Sequence, residues 1–404
     1  MKKKTIDTSL AFVFAGLVFM GIVLMSSVSV YESYELTERI LEVPNNSYYF
    51  WGHLKRVFMA IPIFLAGLYL PLKFWKRFAL PLFFLTWLLL IVVFIPGADG
   101  VPADQVSGFT AKSWINLPFL PSIQPSEIMK MMLIFYLAVW MEKRQELVQS
   151  FQYGFLPFTV LISMVIVLLV LQPDYGTGLV TLTIAGAMFF SAGGSLAHIS
   201  IGTLVAGLIA LPVILLTARS SHVIERFQVF FDPSIDSQGI GYQLYQSLMA
   251  VGNGGFFGVG FGKSIQKFGY LPEVYADTIF AAVAEELGFI RVIVLVGAYA
   301  FVAYKGYKIA LNAKDRFSML VAVGISSWFV FQAFINIMGI IGIFPLTGIT
   351  LPFISYGGTS MMATMLGAGI LLNISRSAHG ATHFTGRRRV GRAHRAPLRR
   401  RRYT

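Results

Sequence analysis

The chain of 404 residues contains no cysteine. Disulfides, thiolate metal sites and thiol nucleophiles are therefore excluded together. Histidine is scarce, six in all, and His53, His198 and His222 stand isolated at spacings that match no zinc motif. Only 13% of the residues are charged, and no loop is both long and apolar enough to bury a core of its own, so a separate soluble domain is not expected. Nucleotide-binding signatures are missing as well. Gly254, Gly255, Gly258, Gly260 and Gly262 lack the flanking strand of a dinucleotide fold, and Gly262-Lys263-Ser264 lacks the spacing of a P-loop.

What the chain has instead is apolar length. Hydrophobic residues make up 56%, mean hydropathy is +0.70, and several runs approach the ~20 residues that cross about 30 Å of hydrocarbon. Ten such runs predict an all-α polytopic membrane protein of about ten transmembrane helices. The N-terminal MKKK leads into a run of about 20 apolar residues with no small-x-small cleavage site, so it reads as an uncleaved first helix. With the N-terminus in the cytoplasm, the inner loops carry 13 lysines and arginines before residue 377 and the outer loops nine. The positive-inside rule therefore places both termini in the cytoplasm and one large extracytoplasmic loop, about residues 218 to 276, between helices seven and eight.

The formal charge of +13 is uneven: nine arginines follow Arg376, and subtracting them leaves +4 for residues 1–376. Residues 1–376 thus read as one transmembrane domain and 377–404 as a disordered, arginine-rich cytoplasmic tail. Such a tail is suited to the anionic lipids of the inner leaflet rather than to nucleic acid.

Acidic side chains beside apolar runs need a reason, since one at full membrane depth costs about 2.5–3.5 kcal/mol on insertion scales. Asp277 closes a polar loop, GKSIQKFGYLPEVYAD, at the mouth of the run IFAAVAEELGFIRVIVLV. There its proton affinity can be tuned for acid–base work, helix capping being the simpler alternative. Glu285 and Glu286 follow eight and nine residues on, too far along a helix to share a point site with it, and they read with Arg291 as interior ion pairs. Glu127 and Lys130 are three apart on one helix face, which suits a salt bridge or a phosphate contact. Lys55 and Arg56 stand at a helix start as interfacial anchors or anion ligands. Asp174 is placed to cap the next helix or to meet a ligand. PLTGITLPFISYGGTS reads as non-helical backbone lining a cavity, with Ser355 and Thr359 as hydroxyl donors. NGGFFGVGFG reads as a surface-lying segment with Phe256, Phe257 and Phe261 dipping into lipid.

Taken in order, IQPSEIMK, QPDYGTG, GYQLYQSLMAVGNGGFFGVGFG, YLPEVYAD with AEELG after it, and PLTGITLPFISYGGTS resemble the SEDS family (shape, elongation, division and sporulation) of bacterial peptidoglycan glycosyltransferases. The resemblance covers nearly all of residues 10–376 and is nearest to the division-type branch. It implies polymerisation of lipid II into β-1,4-linked glycan at the outer face of the cytoplasmic membrane, at the division septum. Asp277 would be the general base and undecaprenyl diphosphate the leaving group. Lys130, Lys55, Arg56, Lys263 and Lys267 would be the cations available to that diphosphate. Glu127, Asp174, Glu273 and Ser355 lie in the matching motifs as further substrate-binding candidates. A divalent cation, magnesium or manganese, would serve the leaving group too, although no residue pattern calls for one. The implied partners are lipid II and the nascent strand, a class B penicillin-binding protein transpeptidase, other divisome membrane proteins and membrane lipids. The chain departs from the pattern at Tyr275-Ala276, where His-Thr is usual, and at Ser113, where an arginine commonly precedes the Trp. Two other readings compete: a flippase for lipid II, and a non-catalytic divisome scaffold that recruits a transpeptidase.

Overall fold

The computed structural model describes residues 5–41, 43–95, 113–115, 122–202, 204, 208, 220–232, 235 and 239–378. The arginine-rich tail, most of the loop 97–126 and most of the apolar run near 198–217 lie outside these residues.

The described chain is helical, with one isolated antiparallel bridge between Ile115 and Ile123. In order the helices are α1 (Thr8–Val28), α2 (Val30–Leu41), α3 (Tyr48–Tyr69), α4 (Leu72–Val92), α5 (Pro125–Arg144), α6 (Leu156–Leu171), α7 (Tyr175–Ser191), α8 (Ser220–Phe231), α9 (Ile240–Gly254), α10 (Ile279–Leu311), α11 (Arg316–Ile340) and α12 (Gly358–Ala378). Their starts are chemically marked. The Asp7 carboxylate accepts from the Leu10 N–H ahead of α1, and Asp315 does the same for Ser318 ahead of α11, each satisfying a first-turn donor.

Five helical segments among the described residues are long and apolar enough to cross a membrane: Thr8–Val28, Leu72–Val92, Phe151–Leu171, Arg316–Ile340 and Gly358–Ser377. The sequence suggested about ten runs. Of the remaining runs, the one near 198–217 lies mostly outside the described residues, α7 is a shorter apolar helix, and α3, α5 and α10 are not among the five. The outer surface is apolar, with Phe12, Phe19, Phe84 and Leu88 exposed on α1 and α4. Helices apolar on their outward faces need lipid rather than water around them, and the chain is a polytopic membrane protein.

Helices α11 and α12 form the buried centre, with Trp328, Phe329, Ile370 and Leu371 fully enclosed. Helix α3 lies along α12 so closely that a Cβ at Gly369 would stand 2.2 Å from the Phe64 carbonyl. Such small-residue contacts let backbones meet where lipid gives no hydrophobic drive to association. At one end of the bundle Lys305 of α10 reaches Asp7, and the Asp7 N–H donates to Ser375 of α12.

The feature that shapes the opposite end is a break in α10. Gly288 has φ 74° and ψ 172°, a conformation essentially confined to glycine. The break is closed by the segment after α9. The N–H groups of Val259 and Gly260 donate to the Glu285 and Glu286 carbonyls, and those of Phe289 and Ile290 donate to Gly255 and Phe256. Two carbonyls and two N–H groups released by the break are thereby paired from the loop, as burial at membrane depth favours, and the Leu287 carbonyl accepts from Arg291. Phe256, Phe257 and Phe261 remain exposed on this loop. The interior pairing expected of Glu285, Glu286 and Arg291 holds for Glu286 and is corrected for Arg291. Glu286 holds Lys267 at 2.8 Å and Ser27 at 2.6 Å, Glu285 accepts from Ser264, and Arg291 is exposed and donates to the Phe257 carbonyl. The loop folds inward and brings its own partners, which sequence spacing along one helix could not reveal.

Candidate active site around Asp277

Residues 272–278 form a tight knot ahead of α10. Ala276 N–H donates to the Glu273 carbonyl at 2.8 Å, the Thr278 hydroxyl donates to the Pro272 carbonyl at 2.8 Å, and Glu273 takes φ 54°, a strained value for a non-glycine residue. The N-cap of α10 is Thr278, without a side-chain capping bond. Asp277 is thus not the cap of this helix. Its main-chain carbonyl accepts from the Asn336 amide at 2.7 Å, and the same amide donates to the Ile349 carbonyl at 2.7 Å. Asn336 therefore ties Asp277 to the glycine- and proline-rich turn between α11 and α12.

The carboxyl is partly enclosed. Its Oδ1 is shut away from the surface and meets no donor among the described residues, while Oδ2 faces Gly348, where a Cβ would come within 3.6 Å. Burial pushes the carboxyl up to about 7, with the nearby charge of Glu273 acting in the same direction; Arg226 and the backbone N–H groups of 277 and 278 oppose them. Arg226 comes from α8 and donates to the Leu346 carbonyl at 2.9 Å, so cation and carboxylate meet the same short stretch, 346–348. The charge of Asp174 is also within its reach. On the far side of Glu273, Glu32 of α2 is likewise pushed up to about 7, by burial first and by Glu273 second.

The remaining candidates divide clearly. Asp174 caps α7 by accepting from Thr177 N–H at 3.2 Å and receives the Ser126 hydroxyl at 2.8 Å. Arg56 lies flat over the Tyr356 ring, 3.8 Å from its centre. Lys55 and Lys263 are exposed. Lys130 and Lys267, expected as outer cations, are 1% and 3% exposed. Lys267 is held by Glu286. Lys130 is held by Glu127 at 2.7 Å and by the Gln332 carbonyl oxygen at 2.7 Å, which also accepts from Trp328 Nε1. Ser355 turns inward and accepts from the Leu351 N–H, and Thr359 accepts from Gln124 N–H. Among the described residues no three His, Asp or Glu side chains converge in a metal-ligating group.

Sequence reasoning missed Arg226, Asn336 and Gln332. The last two carried a signal, since two amides four residues apart inside an apolar helix share one face and need partners. Arg226 stood in a segment read only as loop.

An all-helical membrane bundle with a perturbed carboxylate beside a loop-filled helix break defines a polytopic membrane protein with a site at one end. The family model described as Cell cycle protein, FtsW/RodA/SpoVE, matches residues 7–380. The chain belongs to the FtsW/RodA/SpoVE family. A protein of Trichlorobacter lovleyi named as a probable peptidoglycan glycosyltransferase FtsW is 40% identical over 304 residues, covering 75% of this chain and 77% of its own. One of the same name from Coxiella burnetii is 36% identical over 381 residues, covering 93% and 98%. Stage V sporulation protein E of Bacillus subtilis is 40% identical over 303 residues, covering 75% and 80%. Among solved structures, a chain from work on structural coordination of polymerization and crosslinking by a peptidoglycan synthase complex aligns over 93% of this chain and 99% of its own, at TM-score 0.69 and 26% identity. The rod shape determining protein RodA of Thermus thermophilus, at 24% identity and TM-score 0.64 over 92% and 97%, shares the fold.

Proposed function

We propose that the chain is a peptidoglycan glycosyltransferase of the division type that polymerises lipid II at the outer face of the bacterial cytoplasmic membrane. The observation that carries this reading is the Asp277 carboxyl: it caps nothing, it is partly enclosed, and it is pushed up to about 7. A general base works best with a proton affinity near the ambient pH, and such a group contributes about 10²–10⁴ in rate. Asp277 takes the proton of the acceptor's GlcNAc 4-hydroxyl as that oxygen attacks C1 of the MurNAc at the end of the growing chain. The C1–oxygen bond to the diphosphate breaks, the configuration at C1 inverts, and undecaprenyl diphosphate departs with the bonding electrons. Arg226, whose charge acts on Asp277, and Arg56, which lies over the Tyr356 ring, are guanidinium groups suited to the charge that develops on the leaving diphosphate.

The relatives' names support the activity, and the cell-cycle family supports a role in division. The solved peptidoglycan synthase complex, in which polymerization and crosslinking are coordinated, supports a crosslinking partner, here a class B penicillin-binding protein. In this reading both termini lie in the cytoplasm, residues 1–376 form the catalytic membrane domain, and the arginine-rich tail rests on anionic lipid. The test is polymerisation of labelled lipid II by the purified chain with its transpeptidase, wild type beside Asp277→Asn. Polymer from wild type alone is the expected result. Equal polymer from both removes Asp277 from the chemistry.

A further inference from the structure

Three tyrosines from three distant stretches converge directly behind the Asp277 knot. Tyr275 stacks on Tyr49 of α3 with ring centres 4.1 Å apart and planes 20° from parallel. Tyr356, from the turn before α12, stands edge-on to both, at 5.6 Å and 88° from Tyr275 and at 5.1 Å and 88° from Tyr49. These are the offset-stacked and T-shaped arrangements that ring quadrupoles favour.

The trio is tied to the backbone as well. Tyr356 N–H donates to the Tyr275 carbonyl at 2.9 Å. Tyr49 N–H donates to Ser33 of α2 at 3.1 Å, and the Tyr275 hydroxyl is hydrogen-bonded to Tyr49. Tyr356 is backed on its other side by the Arg56 guanidinium and by the His53 ring. Tyr49 is 2% and Tyr275 7% exposed, so neither ring offers a face to a substrate.

We propose that Tyr275 is a positioning residue for glycan polymerisation: its ring, clamped between Tyr49 and Tyr356, fixes the backbone that aims the Asp277 carboxylate two residues on. The inference rests on Asp277 being the base. The Asn336 amide holds the Asp277 carbonyl and the Tyr356 amide holds the Tyr275 carbonyl, so the two-residue span is pinned at both ends. The ring clamp adds a restraint on rotation of the span that the two end bonds do not supply. Misplacing a reacting group by about 1 Å costs about a hundredfold in rate.

The experiment measures lipid II polymerisation by the full chain with its transpeptidase in proteoliposomes, comparing wild type, Tyr275→Phe, Tyr275→Ala and Tyr49→Leu. Tyr275→Phe keeps the stack and should retain kcat within about twofold. Tyr275→Ala should lose about tenfold to a hundredfold in kcat with KM for lipid II within about twofold, and its pH–rate profile should shift, because the carboxyl no longer sits in the same enclosure. Tyr49→Leu removes the clamp without touching the loop, and should reproduce the kcat loss if Tyr275→Ala fails to fold. Activity per folded molecule equal to wild type in both variants, or a rise in KM at constant kcat, overturns the positioning role. Loss in Tyr275→Phe equal to that in Tyr275→Ala also overturns it, assigning the effect to the hydroxyl. A wild type that makes no polymer refutes the glycosyltransferase reading instead, so the two failures are distinct.

Discussion

Replacing Asp277 by asparagine removes a charge that the folded chain disfavours, and the consequence for stability can be worked out. The carboxyl moves from 3.8 to about 7 on folding. Below pH ~4 both states are protonated and the group contributes nothing. Between ~4 and ~7 the folded chain holds a proton that the unfolded chain has released, so stability falls by about 1.4 kcal/mol per pH unit. Above ~7 the loss is complete, with an upper figure of about 4 kcal/mol that partial exposure of the residue reduces. Asparagine carries none of this. At pH 8 the Asp277→Asn chain should therefore melt a few degrees above wild type, and the gap should close as the pH falls towards 5. Detergent-solubilised protein followed by tryptophan fluorescence at pH 5, 6.5 and 8 would show it, alongside polymerisation reduced about 10²–10⁴-fold. A lower melting temperature for the variant at every pH would refute the reasoning and make Asp277 a structural residue.

Three further outcomes follow from other contacts. Glu273→Gln removes the nearest like charge from Asp277, so the acid limb of the pH–rate profile should move to lower pH; an unmoved limb would show that the two carboxyls do not interact. Lys130→Ala leaves Glu127 charged and buried without its cation, and should cost about 3–5 kcal/mol, read as a large fall in melting temperature. The paired change Glu127→Gln with Lys130→Met should recover much of that. Gly288→Ala would place a Cβ 2.1 Å from the Gly258 nitrogen in a backbone conformation closed to alanine, and should abolish accumulation of folded protein in membranes, measured by detergent extraction and size-exclusion chromatography.

The helical membrane architecture was legible because apolar runs and their charged flanks are local properties of the chain. Asp277 was legible for a related reason: a carboxylate at the edge of such a run is costly unless it has work to do. The pairing of Glu127 with Lys130 was available from their spacing of three, but their complete burial was not, since it depends on Gln332 and Trp328 some 200 residues away. Gly288 gives no local sign of a break, because a single glycine is tolerated inside an apolar helix. Lys267 read as an exposed loop cation for the same reason: nothing in a polar loop tells that it will turn inward to Glu286. The contributions of Arg226 and of the Tyr49–Tyr275 stack are likewise long-range, fixed only once α3, α8 and the turn before α12 are packed together.

The broken helix also bears on how the site meets a deformable bilayer. From residue 289 to Leu311 the lower piece of α10 is about 35 Å long at ~1.5 Å per residue, with Arg291 near one end and Lys305 and Lys308 near the other. That rod matches a hydrocarbon layer of about 30 Å in length, and a spanning helix of that length meets a change in thickness by changing its tilt. The loop after α9 is bonded to both pieces, through Val259 and Gly260 to the Glu285 and Glu286 carbonyls above the break and through the Gly255 and Phe256 carbonyls to Phe289 and Ile290 below it, and the Lys267–Glu286 pair adds a hold on the upper piece, which Asp277 precedes. Gly288 is then a joint splinted across both sides by the loop, so a tilt of the long rod is passed to the loop that lies beside the carboxylate's own segment.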